Sequence, residues 1–77
     1  MQTLSYRVLL RHEPEGGYTV TVPTLPGCVT YGDDVDHAIE MVREAIALYL
    51  ESLIAHGEEI PTEQATLEYT VVVPTYA

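Results

Sequence analysis

The stretch VDHAIEMVREAIALYLESLIAH, from Val35 to His56, carries the strongest structural signal in the chain. Its apolar residues recur at steps of three and four, which places them on one side of an α-helix. Asp33 and Asp34 precede the stretch as capping residues, and Gly57 follows it where a left-handed closing residue is favoured. The apolar stripe consists of Val35, Ala38, Ile39, Val42, Ala45, Ile46, Tyr49, Leu50, Leu53 and Ile54.

The residues before this helix are typical of three short strands. Apolar and polar side chains alternate from Thr3 to His12 and again from Tyr18 to Val22, which predicts two half-buried strands. The turn-forming residues 13–17 lie between them, so the two strands form a hairpin. Two prolines and a glycine in residues 23–27 interrupt the second strand, and residues 28–31 form a third.

A fourth strand is predicted after the helix, from Thr66 to Val73, where Pro74 stops it. The element order β-β-β-α-β indicates an α+β fold, a two-layer domain with one helix packed on a four-stranded mixed sheet. A right-handed crossover would return the fourth strand parallel to the first and beside it. Residues 1–77 therefore form a single domain.

The charge of the chain restricts its partners. It has 77 residues, twelve acids, three arginines and no lysine, for a formal net charge of −9. Such a chain repels phosphate backbones, so direct nucleic-acid binding is not expected. An acidic surface suits a basic protein partner, because opposite charge speeds encounter. The alternative is that the charge serves solubility alone.

Cysteine content and hydropathy indicate a cytoplasmic protein. The single cysteine excludes an internal disulfide, and the chain has neither a signal peptide nor an apolar run long enough to span a membrane. A core this small is marginally stable by itself, which favours a homodimer or a larger homo-oligomer. The apolar residues left over for such a contact are Met41, Leu48, Tyr69, Val71, Val72 and Val73.

No catalytic, cofactor-binding or metal site is predicted. Two-metal nucleases need converging carboxylates, and Glu68 is the one acid in a predicted strand. Cys28 has acids near it in sequence and is better explained as a small buried residue than as a nucleophile. His37, Glu40 and Glu44 share a helix face that could bind a metal, but such a face is more typical of a solvated surface.

The run GYTVTVPTLPGCVTYGDD, from Gly17 to Asp34, resembles the signature of the HicB-type antitoxin family. Its characteristic parts are the glycine–tyrosine start, the alternating strand, the Leu-Pro-Gly-Cys segment and the Gly-Asp helix cap, and a helix with Ala38 and Ala45 follows. The resemblance covers nearly the whole chain. It departs from the family at Asp34, where Thr or Ser is usual, and in ending at Ala77, where many members continue into a DNA-binding domain.

This resemblance implies a truncated RNase-H-like core, often assembled as dimers or larger oligomers. It also implies a partner, a small basic toxin of the HicA type that cleaves mRNA with a histidine. The antitoxin would bind this toxin and cover its active site, without being an enzyme itself.

Acids and tyrosines near the hairpin tip and the helix start are the predicted partner-binding residues. Exposed acids would steer a basic toxin, and an aromatic side chain beside them would supply a desolvated anchor. These residues are Glu13, Glu15, Tyr18, Tyr31, Asp33 and Asp34. The alternative is a stand-alone structural homo-oligomer, or a small-ligand or accessory domain of the same fold, with no toxin partner.

Overall fold

The structure, a computed structural model, describes residues 3–76. Among them, three strands form one antiparallel sheet in the order β1-β2-β3, and a single long helix packs on one face of it. The two-layer α+β architecture is thereby confirmed. The elements are β1 (Leu9–His12), β2 (Tyr18–Thr21), β3 (Val29–Gly32) and α1 (Val35–Ala55).

The helix begins and ends at the signals that the sequence contains. Asp34 adopts an extended backbone, and its Oδ1 accepts a hydrogen bond from the backbone N–H of His37 at 2.8 Å. This bond satisfies one of the first free donors of the helix. At the other end Gly57 has φ +67° and donates its N–H to the carbonyl of Ile54 at 3.1 Å. A left-handed glycine thus closes α1 as predicted.

Small residues let α1 approach the sheet closely. Gly32, at the end of β3, lies against the backbone of Ala38, and any side chain at Gly32 would collide with it. The helix therefore packs over β3 and, to a lesser degree, over β2. The fully covered core between the layers consists of Val20, Val22, Leu25, Cys28, Ala38 and Val42.

The predicted apolar stripe of the helix is covered in its middle and exposed at its ends. Val42 is buried, whereas Val35 and Ile54 are 47% and 64% exposed. The reason is length: the 21 residues of α1 span about 32 Å, and a four-residue strand about 13 Å. The helix therefore extends beyond the sheet that covers it.

The fourth strand is the main departure from the predicted fold. Residues 66–73 join no sheet in the described part of the chain, so the sheet has three strands and is purely antiparallel. The predicted first strand is also shorter and pairs only through Leu9–His12, because no strand lies beside residues 3–8. We call residues 66–76 the C-terminal arm. The predicted truncated RNase-H-like arrangement with a four-stranded sheet is therefore not confirmed by the described structure.

The loop that leads into the C-terminal arm is fixed to the body by Glu63. Its carboxylate accepts hydrogen bonds from the hydroxyl of Thr24 and from the backbone N–H of Arg7, the latter at 3.0 Å. The guanidinium of Arg7 pairs with the same carboxylate at 3.3 Å and with Glu68 at 3.4 Å. Beside it, the hydroxyl of Tyr6 donates to the carbonyl of Pro61 at 2.6 Å. These bonds join residues between 39 and 61 positions apart.

The same contacts change the acidity of two groups. The hydrogen bond from Thr24 is the largest influence on the pKa of Glu63, and together with those from Arg7 it lowers that pKa despite partial burial. Burial, and then the nearby charge of Glu63, raise the pKa of Tyr6. The hydrogen bonds from Thr24 and Arg7 therefore stabilise the ionised form of Glu63.

Replacing Glu63 with glutamine should reduce the loss of stability in acid. A carboxyl whose pKa is lowered by folding stabilises the protein above its ordinary value of 4.5, and this contribution is lost as pH falls through the lower folded value. Unfolding followed between pH 3 and 7 should therefore show a smaller stability difference between wild type and Glu63→Gln at pH 3 than at pH 7. The exposed Glu59→Gln in the same loop is the control, and an equal pH dependence in Glu63→Gln and wild type would contradict the assignment.

Two valines test which face of the sheet is buried. Val20 is fully buried and Val29 is 57% exposed, although both lie in strands of the same sheet. Val20→Ala should lower the free energy of unfolding by roughly 1.5–3 kcal/mol, from lost transfer and an unfilled cavity. Val29→Ala loses the same strand propensity as Val20→Ala but creates no cavity. Urea unfolding should therefore show a clearly smaller change in the free energy of unfolding for Val29→Ala. Equal changes would mean that the faces are assigned wrongly.

Candidate partner-binding surface

The face of the sheet opposite α1 is uncovered in the described structure. Strand register aligns Leu9 with Thr21 and Thr21 with Val29 across the three strands. A second row across this face holds Arg11, Thr19 and Tyr31. Leu9, Val29 and Tyr31 are 54%, 57% and 47% exposed, so large apolar side chains lie on a solvent-facing surface. We call these six residues the open face.

Acidic residues border the open face at one end. The turn after β1 carries Glu13 and Glu15, and Tyr18 at the start of β2 is aligned with Gly32 at the end of β3. Asp33 and Asp34 follow Gly32 directly, so the hairpin turn and the helix start lie at the same end of the sheet. We call Glu13, Glu15, Asp33 and Asp34 the acidic rim. The structure thus places all four predicted acids together, while their role in binding stays a prediction.

Local hydrogen bonds hold parts of the acidic rim in place. Glu13 accepts a hydrogen bond from the hydroxyl of Thr19 at 3.3 Å and is half-buried. Asp33 donates its backbone N–H to Nδ1 of His37 at 3.0 Å, and its carboxylate, which is 80% exposed, lies 3.7 Å from the same nitrogen. Asp34 is engaged as the helix cap. Glu15 and the Asp33 carboxylate are therefore the rim acids most accessible to a partner.

Tyr31 joins the open face to the acidic rim. Its hydroxyl donates a hydrogen bond to the carbonyl of Gly16 in the hairpin turn, at 3.1 Å. The ring passes over Gly17, where the phenol occupies the position that a Cβ would take. Gly17 also has φ +81°, which favours glycine on conformational grounds. The turn and the ring thus fit each other, and Tyr31 is held half-exposed beside the acids.

Tyr18 does not share that surface with Tyr31. Its side chain lies on the helix side of the sheet, packed against the buried core, with its ring centroid 5.0 Å from that of His12. Strand alternation explains the separation, because Tyr18 faces the same side as Val20 and Tyr31 faces the side of Thr19. Of the two predicted aromatic anchors, only Tyr31 is on the open face.

The residues predicted for an oligomer contact lie in two separate places. On the helix, Met41 is half-buried and Leu48 is 60% exposed. The other four, Tyr69, Val71, Val72 and Val73, are in the C-terminal arm and are between 71% and 92% exposed. Whether they form a contact stays a prediction.

The groups considered for chemistry have structural roles. Burial raises the pKa of the Cys28 thiol, which favours the unreactive protonated form. His37 is engaged with Asp33, and residues 3–76 contain no group of three or more His, Cys, Asp or Glu arranged to hold a metal ion. Within the same residues, α1 is not apolar enough to cross a bilayer.

The open face is the feature that alternation alone did not identify. In β3 the larger side chains, Val29 and Tyr31, point to solvent, while Thr30 and Gly32 point to the helix. The available signal was Gly32, two residues before the helix cap Asp34, since a glycine at that point allows close packing of helix on strand.

Comparison with known proteins gives a consistent family. The family profile described as the HicB-like antitoxin of bacterial toxin–antitoxin systems matches residues 6–77. A UPF0150 protein of Synechocystis is 47% identical over 62 residues, covering 80% of this chain and 78% of its own. A UPF0150 protein of Thermoplasma acidophilum is 42% identical over 62 residues, 80% of this chain and 90% of its own. The protein named Antitoxin HicB 1 of Photorhabdus laumondii is 34% identical over 61 residues, 79% of this chain but 39% of its own.

Two glycines of matched backbone conformation test the fit between Tyr31 and the turn. Gly17 and Gly27 have φ +81° and +80°, but only Gly17 lies under a side chain, since nothing is within 4 Å of a Cβ at Gly27. Alanine at either position should cost about 1–2 kcal/mol for the left-handed backbone. Only Gly17→Ala should also displace the Tyr31 ring and change its aromatic NMR signals. Unchanged Tyr31 signals in Gly17→Ala would contradict this packing.

Proposed function

Because this chain belongs to the HicB-like antitoxin family, we propose that it neutralises a small basic toxin of the HicA type, which cleaves mRNA, by covering the toxin's active site. Family membership supports a role in a toxin–antitoxin system and a toxin partner in general. The observation that supports this mode of action is the open face with its acidic rim. A solvent-facing surface on which large apolar side chains lie among polar ones, bordered by charge, is typical of a protein-binding site.

The two parts of the surface have different tasks in binding. Charges at the border of an interface mainly raise the association rate and select partners of opposite sign, and their effect is screened over about 8–10 Å at physiological salt. Apolar and aromatic side chains at the centre supply affinity, because they lose their contact with water on binding. In this chain Glu15 and Asp33 perform the first task, and Tyr31 with Val29 performs the second. Tyr18 supports the sheet from the opposite face.

The proposed activity is binding and not catalysis. The net charge of −9 makes the chain a poor ligand for nucleic acid and a suitable one for a basic nuclease. The proposal includes action in the cytoplasm, where mRNA is cleaved, and assembly as a homodimer or larger oligomer.

A second candidate is a stand-alone homo-oligomer or accessory domain with no toxin. It is favoured by the Thermoplasma relative, of which this chain spans 90% and whose name mentions no toxin. Co-expression with a small basic toxin of the HicA type distinguishes the two. Relief of growth arrest and a stable complex support the antitoxin, whereas growth arrest that continues with no complex supports the accessory domain.

Charge reversal at the acidic rim should slow association with the toxin. Glu15→Lys/Asp33→Lys should lower the association rate constant on the order of tenfold at low salt and flatten its salt dependence. Neither carboxylate caps the helix, so circular dichroism and the unfolding midpoint should change little. The measurement is stopped-flow or surface-based kinetics at low and high salt.

The matched control is Glu58→Lys/Glu59→Lys, which makes the same change in net charge at the opposite end of α1. Both residues are exposed in the loop after the helix. If the two double variants slow association equally, net charge and not the acidic rim steers the partner. If neither responds to salt, electrostatic attraction of a basic toxin is the wrong explanation for the charge.

A further inference from the structure

The C-terminal arm is the most exposed apolar segment of the described chain. Leu67, Val72 and Tyr76 are 94%, 92% and 96% exposed. The molecule as a whole is extended, since the radius of gyration is 15.0 Å and about 11–12 Å is typical for 77 residues. Exposed apolar segments of this kind mark an interaction site.

The arm has the side-chain pattern of a strand with one buried face. Its odd-numbered positions from 67 to 73 are all apolar, and the even-numbered positions include Glu68 and Thr70. Successive side chains of a strand point to opposite faces, so the odd-numbered side would be buried. Pro74 then ends the segment that can pair. The segment therefore has the pattern of a strand, but no neighbouring strand is found among residues 3–76.

The edge of β1 is an open acceptor for such a strand. The N–H of Glu13 donates to the carbonyl of Gly17, and ladder bonds alternate along a strand, so the N–H groups of Arg11 and Leu9 face β2. Those of Leu10 and His12 consequently face away from the sheet. The strand order makes β1 an edge, and residues 4–8 continue it with no neighbouring strand. Unprotected edges of this kind pair readily with another strand.

An apolar groove lies beneath the continuation of β1. Leu4, Tyr6 and Val8 line one wall, and Ile39, Arg43 and Ile46 of α1 line the other. The helix is seated over β3 and β2, so this side of α1 is incompletely covered by its own sheet. A strand added beside β1 would direct its odd-numbered apolar side chains into the groove.

The arm begins on the wrong side of its own β1 to occupy that position. By the same alternation, the N–H of Arg7 faces the β2 side, and it is bonded there to Glu63. Glu63 is also bonded to Thr24, in the turn that follows β2. The arm would have to cross its own first strand to reach the open edge. A second copy presents the same edge without that crossing.

We propose that two copies of this chain exchange their C-terminal arms, each arm adding a fourth strand to the β1 edge of the other copy. The exchange is reciprocal and closes as a two-fold dimer, so it leaves no arm uncovered and builds no filament. It places Tyr69, Val71 and Val73 toward the partner's groove and Val72 on the opposite face. The four-stranded sheet expected from the sequence is completed between chains. This inference does not depend on toxin binding, and its test uses the antitoxin alone.

The test compares the same substitution at two adjacent arm positions. Wild type should be a dimer of the 8.5 kDa chain by light scattering at micromolar concentration. Val71→Glu should raise the dimer dissociation constant about 100-fold or more, because it replaces an apolar side chain in the groove with a carboxylate that loses its hydration. Val72→Glu should remain dimeric, since its side chain faces solvent. An equal effect of the two substitutions would overturn the proposed pairing.

Hydrogen exchange followed by NMR tests which edge accepts the arm. The amides of Leu10 and His12 should exchange slowly in wild type and in Val72→Glu, and rapidly in Val71→Glu. The amide of Arg11, which bonds to β2, should stay protected in all three and thereby report an intact fold. A monomeric wild type, a dimer with rapid exchange at Leu10 and His12, or protection that appears only when a basic protein is added would each overturn the proposal.

Discussion

The close contact between Gly32 and Ala38 is the constraint on which the other surfaces depend. Because neither residue keeps the helix at a distance, α1 is seated over β3 and β2. That position leaves β1 at the margin of the layer, with a groove between residues 4–8 and the helix. One backbone approach therefore fixes the position of α1 relative to β1, which is where the proposed exchange of strands would take place.

Features with a local cause could be predicted from the sequence. The helix, its caps and the three strands depend on periodicity and on single residues such as Asp34 and Gly57, so each is found near its predicted position, although β1 is shorter than predicted. The predicted fourth strand was not confirmed, and the reason is physical. Alternation in residues 66–73 indicates a strand with one buried face, but it does not identify the strand beside which it would lie. The network around Glu63 left no local signal, since its partner Arg7 is 56 positions away.

The candidate site was predictable in part for the same reason. Chain connectivity places Asp33 and Asp34 near the hairpin turn, and the structure brings them together. To predict that Tyr18 and Tyr31 lie on opposite faces of the sheet, the register between β2 and β3 must be known, and no local sequence signal gives that register. The orientation of β3 was less predictable still, because Val29 faces solvent while Gly32 faces the helix. Packing against α1 selected the smaller residues for the inner side.

The uncovered C-terminal arm has a consequence for the lifetime of the protein. Exposed segments outside helices and strands are preferred sites of proteolytic cleavage. Where arms are exchanged between copies, a dilute chain displays residues 66–76 and a concentrated one conceals them. Degradation would then accelerate as the protein becomes scarce, and slow as it accumulates. The concentration of the protein would then set its own rate of degradation, because the arm is protected only when it pairs with a second copy.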